Sequence, residues 1–477
     1  MKPSGILCAV ILIVASLHGC GGGGGGGGTV APPPAPPAVM PTPPPAPPEM
    51  MPKAALEPSA QAAQAPLFGF DGSLQIGMGA APPAEELQKM GSRNGVEVSQ
   101  GSVRDGSVAA DVIAYLRPRA IHPEVTGLAT FPNPPTVHVV EGTSEKYTGY
   151  AVRAVQIVNA ALPRDARLSF GDTPAPDPAG VEDVPRGGIH IEFIPQSQWP
   201  EEDDMDQSAV GNTKSQIFYN PRTQRNEVVE AGSSHILIDS GEVQNFPEEK
   251  TVYVIVHELL HALGFSGHTD PARFPDATLN PNVPANLPRF LLSKIDRDAL
   301  LAAYARFRPG ALPEEISAQS LGPWDETSLH VRGDLGIPGG EVSFGAAFRN
   351  GLAQPWATGP EPPMDLAQNP ELSGTATWSG ALLGVTPSGE VVVGDAGLGV
   401  DLANLDGQLD FTDVQFDGGG MWGDGDLGYS IEVRGNVFTR SGGDAGVVTG
   451  AFFGARHEGM GGVLERSDLS AGFGGKR

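Results

Sequence analysis

The stretch that decides the fold of this protein runs from residue 257 to residue 268 and reads HELLHALGFSGH. His257 and His261 are four residues apart, which on a helix places their side chains on one face, about one turn apart. Two imidazoles in that relation can bind the same zinc ion. Glu258 points in a different direction around the helix axis from the two histidines. We therefore expect it to lie beside the metal and not to bind it directly.

The residues around this stretch predict the helix independently. Pro247 is followed by two glutamates, and both proline and carboxylates favour the first turn of a helix. An apolar run continues from Val252 to Leu263, and Gly264 provides a C-terminal stop. Three strands and one further helix are predicted upstream: strands 136–140, 188–194 and 235–239, and helix 150–162.

A zinc ion with an open coordination position takes three protein ligands, so a third ligand is needed. His268 follows Gly264 by four residues and can fold back onto the metal, and Asp270 is the alternative. Zn²⁺ is therefore the predicted cofactor. Glu258 is the predicted general base, because it can take a proton from zinc-bound water. The histidines of the predicted strands are interpreted as plain sheet residues: His138, His190 and His235.

The motif resembles that of the metzincin zinc peptidases, H-E-x-x-H-x-x-G-x-x-H. The third histidine, His268, lies one residue late, with Gly267 at the position of the family's ligand. These peptidases carry a methionine turn beneath the zinc, and Leu279 occupies the matching position. The resemblance covers roughly residues 134–308 and implies an α+β, matrixin-like catalytic domain. It also implies an extracytoplasmic zinc metalloendopeptidase that acts on proteins or peptides.

The C-terminal sequence has a different texture. It is rich in glycine, with short alternating segments between turn residues, which is typical of an all-β sandwich or barrel. LSGTATWSGALLG at 372–384 and VTGAFFG at 448–454 resemble the β-barrel domains of bacterial surface lipoproteins of the transferrin-binding-protein type. The resemblance covers residues 325–477 and implies an antiparallel barrel of about eight strands. It does not imply transferrin binding, because a fold does not carry its ligand with it. Trp378 and Phe452 are interpreted as core residues.

The first twenty residues predict export. Lys2 precedes an apolar run, Ile6 to Leu17, that has the length of a signal sequence and is too short to span a membrane. The run ends in Leu17-His18-Gly19-Cys20, which resembles the lipobox of bacterial lipoproteins and implies lipidation of Cys20. The alternative is an ordinary signal peptide with an incidental cysteine. A polyglycine run and dense proline follow, and such sequence suits a disordered tether.

The chain of 477 residues is too long for one compact domain. Between the tether and the predicted strands, one short helix is expected near 85–90. The predicted organisation is a signal peptide 1–19, a tether 20–66, a linking segment of unknown structure 67–133, an α+β metzincin-like domain 134–310, and an antiparallel β-barrel 325–477.

The net charge limits the kinds of partner that the chain is expected to bind. With 30 Lys+Arg and 56 Asp+Glu the formal net charge is −26, so nucleic acid is not expected to bind, because phosphates are repelled. The expected partners are a protein or peptide substrate and a lipid anchor in the cell envelope. The leading hypothesis is the zinc peptidase. The alternative is a surface-exposed binding lipoprotein whose barrel binds a host or environmental ligand, with the peptidase-like domain secondary or degenerate.

Overall fold

A computed structural model of the chain describes most residues from 81 onward and a few before them. The described residues are 13–17, 68–70, 73–77, 81–121, 125–171, 173–178, 180–199, 210–220, 227–281, 284, 291–423, 425–440 and 446–477. The predicted lipidation site Cys20 and the predicted tether up to residue 66 lie outside them.

Six α-helices and twenty-one strands are formed by the described residues. The helices are α1 Ala109–Arg119, α2 Glu145–Asn159, α3 Ser240–Val243, α4 Glu248–Ala262, α5 Lys294–Ala305 and α6 Ala318–Leu321. The strands are β1 Ile13–Leu17, β2 Phe68–Phe70, β3 Ser73–Gly77, β4 Gln88–Arg93, β5 Val96–Arg104, β6 Thr136–Val139, β7 Ser169–Phe170, β8 Gly188–Ile194, β9 Gly211–Asn220, β10 Glu227–Asp239, β11 Thr327–Ile337, β12 Gly340–Arg349, β13 Leu352–Pro360, β14 Thr375–Val385, β15 Val391–Asp401, β16 Asp406–Phe416, β17 Leu427–Arg434, β18 Val437–Arg440, β19 Val447–Phe453, β20 Gly459–Glu465 and β21 Ser470–Lys476.

The first sheet is mixed and has the strand order β1-β9-β10-β8-β6-β7. Strands β6, β8 and β10 are parallel, whereas β9 is antiparallel to β10 and β1 is antiparallel to β9. Parallel neighbours need a crossover, and α2 supplies it between β6 and β8. Successive side chains of a strand point to opposite faces of the sheet. On β8, Ile189 and Ile191 point into the core, and the residues between and after them point to the other face.

The helix α4 crosses the inner face of this sheet. Pro247 caps its N-terminus, and Glu248 and Glu249 lie in its first turn. The helix is buried from Thr251 to Ala262, where it packs against α2, β9 and β10. A buried face this wide fixes the helix and its side chains rigidly against the sheet, which a site built from those side chains requires.

The second sheet combines strands that lie far apart in the chain, β2–β5 within residues 68–104 and β11–β13 within residues 327–360. Its order is β2-β3-β13-β12-β11-β5-β4, so strands before α1 pair with strands after α6. The helix expected near residues 85–90 is wrong: residues 84–86 form a 3₁₀ turn and β4 begins at Gln88. Pairing with β5 overrides the local helical preference there, and the register shifts between Lys89 and Gly91.

The third sheet is a closed barrel formed by β14 to β21 in chain order. It closes through antiparallel pairing of β14 with β21, for example Leu382 opposite Phe473. Large aromatic side chains fill its interior, as expected for Trp378 and Phe452, and both are at most 2% exposed. The prediction of an antiparallel eight-stranded barrel is confirmed. The barrel begins at Thr375, because the preceding strands belong to the second sheet.

Among the described residues, no helix is both long and apolar enough to cross a membrane.

Candidate metal centre

The helix α4 brings His257 and His261 together at its C-terminal end. Their ring centroids are 4.8 Å apart and their Nε2 atoms are 3.2 Å apart. Two nitrogens bound tetrahedrally at about 2.0–2.1 Å from one zinc ion lie about 3.3 Å from each other. The observed separation of the Nε2 atoms is therefore the one that a shared zinc ion needs.

Hydrogen bonds fix which nitrogen of each ring faces the site. The Nδ1 of His257 donates to the carbonyl oxygen of Thr278 at 2.7 Å, and the Nδ1 of His261 donates to that of Phe265 at 2.8 Å. Each neutral ring consequently has an unprotonated Nε2. Since both Nε2 atoms are unprotonated and lie 3.2 Å apart, neither can donate to the other, and a cation is the group that fits between them.

The third histidine closes the cluster. After α4 the chain reverses at Gly264 and Gly267, which have φ values of +95° and +64°. This places the ring centroid of His268 5.4 Å from that of His257 and 5.3 Å from that of His261. One ligand atom of each of the three histidines lies within 4.8 Å of the others. The extra loop residue is thus accommodated by left-handed glycines.

Asp270, the alternative third ligand, is used elsewhere. Its Oδ1 accepts a hydrogen bond from the backbone nitrogen of Ala272 at 2.9 Å, which closes a local turn. It does not belong to the group of potential metal ligands found among the described residues. The geometry therefore favours His268 over Asp270.

Burial keeps all three imidazoles neutral. It lowers the pKa of His257 to about 3, with a further contribution from His268. Burial lowers the pKa of His261 well below its usual value, and it also lowers that of His268, to which the positive charge of Arg119 adds. Neutral imidazole is the form that binds a metal, so the site is ready for a cation at neutral pH.

Glu258 lies beside the histidines in an enclosed position between α4 and β9. Its side chain is buried, and its Oε2 accepts a hydrogen bond from the hydroxyl of Thr213 at 2.7 Å. Burial raises the pKa of Glu258 to about 7, although the hydrogen bond from Thr213 acts in the opposite direction. Gly211 provides the space, because a Cβ there would lie 2.6 Å from the Oε1 of Glu258.

The segment 277–281 forms the floor of the site, at the position expected from the sequence. Leu279 is fully buried in the core, and the carbonyl oxygen of Thr278 holds His257. Asp296 braces this floor by accepting a hydrogen bond from the backbone nitrogen of Thr278 at 2.6 Å. Sequence reasoning missed the roles of Thr213, Thr278 and Asp296, because each depends on a contact distant along the chain.

The three histidines that the sequence assigns to strands do lie on strands of the first sheet. His138, His190 and His235 occupy matching positions on the neighbouring strands β6, β8 and β10. Nothing in their sequence spacing indicates this, because it follows only from the register of the strands. Cys20, by contrast, lies outside the described residues.

Comparisons with known proteins give similarity only to solved structures. No family model and no curated protein matches the chain. A transferrin binding protein B double mutant from Haemophilus parasuis matches with 13% identity and a TM-score of 0.24, covering 31% of this chain and 34% of that one. The isotype 1 transferrin binding protein B from Neisseria meningitidis matches with 16% identity and a TM-score of 0.23, covering 31% and 33%. The N-lobe of lactoferrin binding protein B from Moraxella bovis matches with 8% identity and a TM-score of 0.18, covering 33% and 81%.

The comparisons correct the leading functional hypothesis. They return transferrin- and lactoferrin-binding proteins, so the prediction that the chain is a zinc metallopeptidase is wrong. They also give no support to a metzincin-like catalytic domain. The chain spans about a third of the length of the transferrin-binding proteins from Haemophilus and Neisseria that it matches. The fold class is therefore multidomain and mostly β, with a closed eight-stranded antiparallel barrel.

Proposed function

We propose that this protein is an exported, metal-binding lipoprotein of the cell envelope that holds one zinc ion on His257, His261 and His268. The observation that carries the proposal is the convergence of one ligand nitrogen from each of these residues within 4.8 Å. Three neutral imidazoles suit zinc, and they leave a fourth position for water or for a donor atom of a bound ligand.

Glu258 gives that fourth position its chemical character. In the metal-free site, burial raises the pKa of its carboxyl group well above the usual value. The hydroxyl of Thr213 bonds one carboxyl oxygen, which restrains the side chain. A carboxyl group in this place can donate a hydrogen bond to a group on the metal when protonated and accept one when ionised. This arrangement supports binding of a ligand that carries a carbonyl, carboxylate or hydroxyl oxygen.

The metal proposal is tested by counting bound zinc. We expect His257→Ala with His261→Ala to remove one equivalent of zinc relative to the unmodified chain, measured by elemental analysis after dialysis against Zn²⁺. His330→Gln is the matched control, because His330 is also buried but lies on β11, away from this site. Unchanged zinc content in the double variant, with the control folded, would disprove the site.

We further propose that the barrel binds its ligand on its outer surface or loops. Its interior is filled by large side chains that are less than 2% exposed, among them Phe411, Phe438, Phe452 and Phe473. Such a barrel has no space for a small molecule inside, unlike larger or emptier barrels. A protein partner is the class of ligand that fits an outer surface.

This second proposal is tested with a small apolar fluorescent probe, 1-N-phenylnaphthylamine. We expect no saturable binding to the folded chain, and no change in the fluorescence of Trp378, which lies inside the barrel. Stoichiometric binding that quenches Trp378, and that is lost in Trp378→Phe, would show a ligand cavity in the barrel and overturn the proposal.

The lipid anchor is proposed from the sequence around Cys20. Cleavage before Cys20 would remove residues 1–19 and with them strand β1. The acyl chains on the new N-terminal cysteine would then contribute about 0.8 kcal/mol of membrane binding per buried methylene group. We expect Cys20→Ser to shift the protein from the membrane fraction to the soluble fraction of cells that express it. Incorporation of labelled palmitate into the unmodified protein, but not into the variant, is the accompanying measurement. A variant that still incorporates the label would contradict the assignment.

A further inference from the structure

The helix α1 ends against the loop that carries His268, in an arginine that the metal centre does not use as a ligand. Arg119 is the last residue of α1 and is 2% exposed. Its carbonyl oxygen accepts a hydrogen bond at 3.0 Å from the hydroxyl of Ser266, two residues before His268. The end of α1 and the ligand loop are therefore in direct contact.

The guanidinium group of Arg119 packs on Tyr115, one turn earlier on α1. Its Cζ lies 3.7 Å from the centroid of the Tyr115 ring, and its Nη1 donates to the carbonyl oxygen of Tyr115. Its Nε and Nη2 atoms are buried and have no hydrogen-bond partner within the part of the chain that the structure describes. A guanidinium group has five N–H donors, so Arg119 keeps donors for a further acceptor.

The positive charge of Arg119 is not balanced by a carboxylate. Among the described residues, none forms an ion pair with it. The carboxylate of Asp296 bonds the hydroxyl of Tyr115 and the backbone nitrogen of Thr278 instead. The face of an aromatic ring attracts a cation but does not replace a counter-charge. A buried charge without a counter-charge is unfavourable, so this one needs an explanation.

The charge of Arg119 reaches the metal centre. It lowers the pKa of His268 and that of His261, in both cases after the larger effect of burial. A metal ion bound by these histidines is repelled by the same charge, since both are positive. Glu258 offsets at most one of the positive charges of Zn²⁺ and Arg119. The zinc-bound site therefore has an excess of positive charge in a buried place.

We propose that the fourth position of the metal takes a carboxylate, and that the charge of Arg119 selects this ligand over a neutral one. The inference rests on the proposed metal site, and it narrows the ligand of that site from any oxygen donor to an anionic one. A carboxylate oxygen is a suitable zinc ligand. The N–H groups of a guanidinium match a carboxylate better than those of any other cationic side chain. The bound anion also supplies the counter-charge that Arg119 lacks.

The experiment compares acetate with acetamide, its neutral counterpart of similar shape, on full-length protein loaded with Co²⁺. Each compound is titrated against the visible absorption of the bound Co²⁺, which responds to a change in the ligands of the metal. We expect acetate to bind the unmodified protein more tightly than acetamide does. Arg119→Met should weaken acetate binding by about tenfold or more without changing the response to acetamide, because only the acetate is charged.

Three further variants separate charge from structure. Arg119→Gln, which is neutral but keeps N–H donors, should lose acetate affinity as Arg119→Met does. Arg119→Lys, which keeps the charge, should retain most of it. Arg117→Met is the matched control and should change nothing. Arg117 lies on the same helix but is exposed, and its Nε donates to the carbonyl oxygen of Ile316.

Two outcomes would overturn the inference. One is acetate binding of equal strength in the unmodified protein and in a cooperatively unfolding Arg119→Met or Arg119→Gln protein. The other is an unmodified protein that binds acetate no more tightly than acetamide. Failure of the metal site itself is recognised earlier, because a protein that retains no Co²⁺ after dialysis shows no visible bands before acetate is added. That result would overturn the proposed function and this inference together.

Discussion

His268 reaches the metal centre through a loop one residue longer than the motif in the sequence requires. We expect His268→Ala to lower the zinc affinity of the metal site by at least about tenfold, because two ligands on one helix leave the ion under-coordinated. Asp270→Ala is the control, since its carboxylate only closes the turn to Ala272. The measurement is Zn²⁺ titration against a competing chelator. Loss of affinity in Asp270→Ala, with full affinity in His268→Ala, would assign the ligand to Asp270.

Glu258 makes the stability of the metal-free protein depend on pH. Its pKa is raised from 4.5 to about 7, so between these values the folded state keeps a proton that the unfolded state has released. The free energy of unfolding therefore falls as the pH rises through this window, and the loss is complete above pH 7. A shift of this size corresponds to roughly 3 kcal/mol.

Glu258→Gln removes this titration. We expect the free energy of unfolding of the variant, relative to the unmodified protein, to rise by roughly 3 kcal/mol between pH 4.5 and pH 8. Urea unfolding in the presence of a chelator measures both proteins at each pH, and the histidines common to both cancel in the difference. A difference that does not change with pH would mean that Glu258 is ionised in the folded state.

At the scale of elements, the C-terminal end of α4 determines where the third ligand can lie. Gly264 has a φ of +95°, and a Cβ there would lie 2.2 Å from the carbonyl oxygen of Ala129. Gly267 has a φ of +64°, but a Cβ there would have no neighbour within 4 Å. The two glycines thus share a left-handed backbone and differ in the space around them.

This pair provides a matched test. We expect Gly267→Ala to lower the free energy of unfolding by about 1 kcal/mol, because the left-handed backbone conformation is less favourable for alanine than for glycine. Gly264→Ala should cost clearly more and also weaken zinc binding, because Ala129 and the helix end must separate. Thermal unfolding and Zn²⁺ titration of both variants are the measurements. Equal destabilisation would show that the close contact with Ala129 does not constrain the turn.

The sequence predicted those elements whose signals are local. The helix bounds follow from Pro247 and Gly264, and α4 runs from Glu248 to Ala262. The rings of His257 and His261, which helical spacing places next to each other, lie next to each other for the same reason, since spacing on one helix is a local property. His268 needed only a short loop.

The sequence could not predict what depends on register or on pairing between distant segments. The row formed by His138, His190 and His235 exists only because three strands align at those positions. The same limit explains why a helix was expected near residues 85–90. The strand there pairs with β5, and β5 and its neighbour β11 are fixed by the whole second sheet. It also explains why the sequence analysis assigned the strands of the open second sheet after residue 325 to the barrel. The strands of both show the same alternation of apolar and polar residues.

At the scale of the whole molecule, the second sheet packs face to face against the barrel. Strands β12 and β13 contact β20 and β21, and Phe344 and Phe453 belong to the shared core. The backbones approach very closely at Gly472 of β21. A Cβ there would lie 2.4 Å from the backbone nitrogen of Gly345 and 2.4 Å from the carbonyl oxygen of Trp356. Backbone atoms cannot rotate away as a side chain can, so this contact sets the distance between the two sheets.

Gly472→Ala should therefore destabilise the union of the barrel and the second sheet. We expect the free energy of unfolding to fall by about 1–3 kcal/mol, the usual cost of overpacking a well-packed core. The control is Gly397→Ala on β15, where a Cβ would meet nothing within 4 Å. Urea unfolding followed by tryptophan fluorescence is suited to the comparison, because Trp356 lies in the second sheet and Trp378 inside the barrel.

If both variants unfolded at the urea concentration of the unmodified protein, the two sheets would not be held at this contact. A Gly472→Ala protein whose tryptophan fluorescence shows two separate transitions, where the unmodified protein shows one, would indicate that this contact makes the unfolding of the two sheets cooperative.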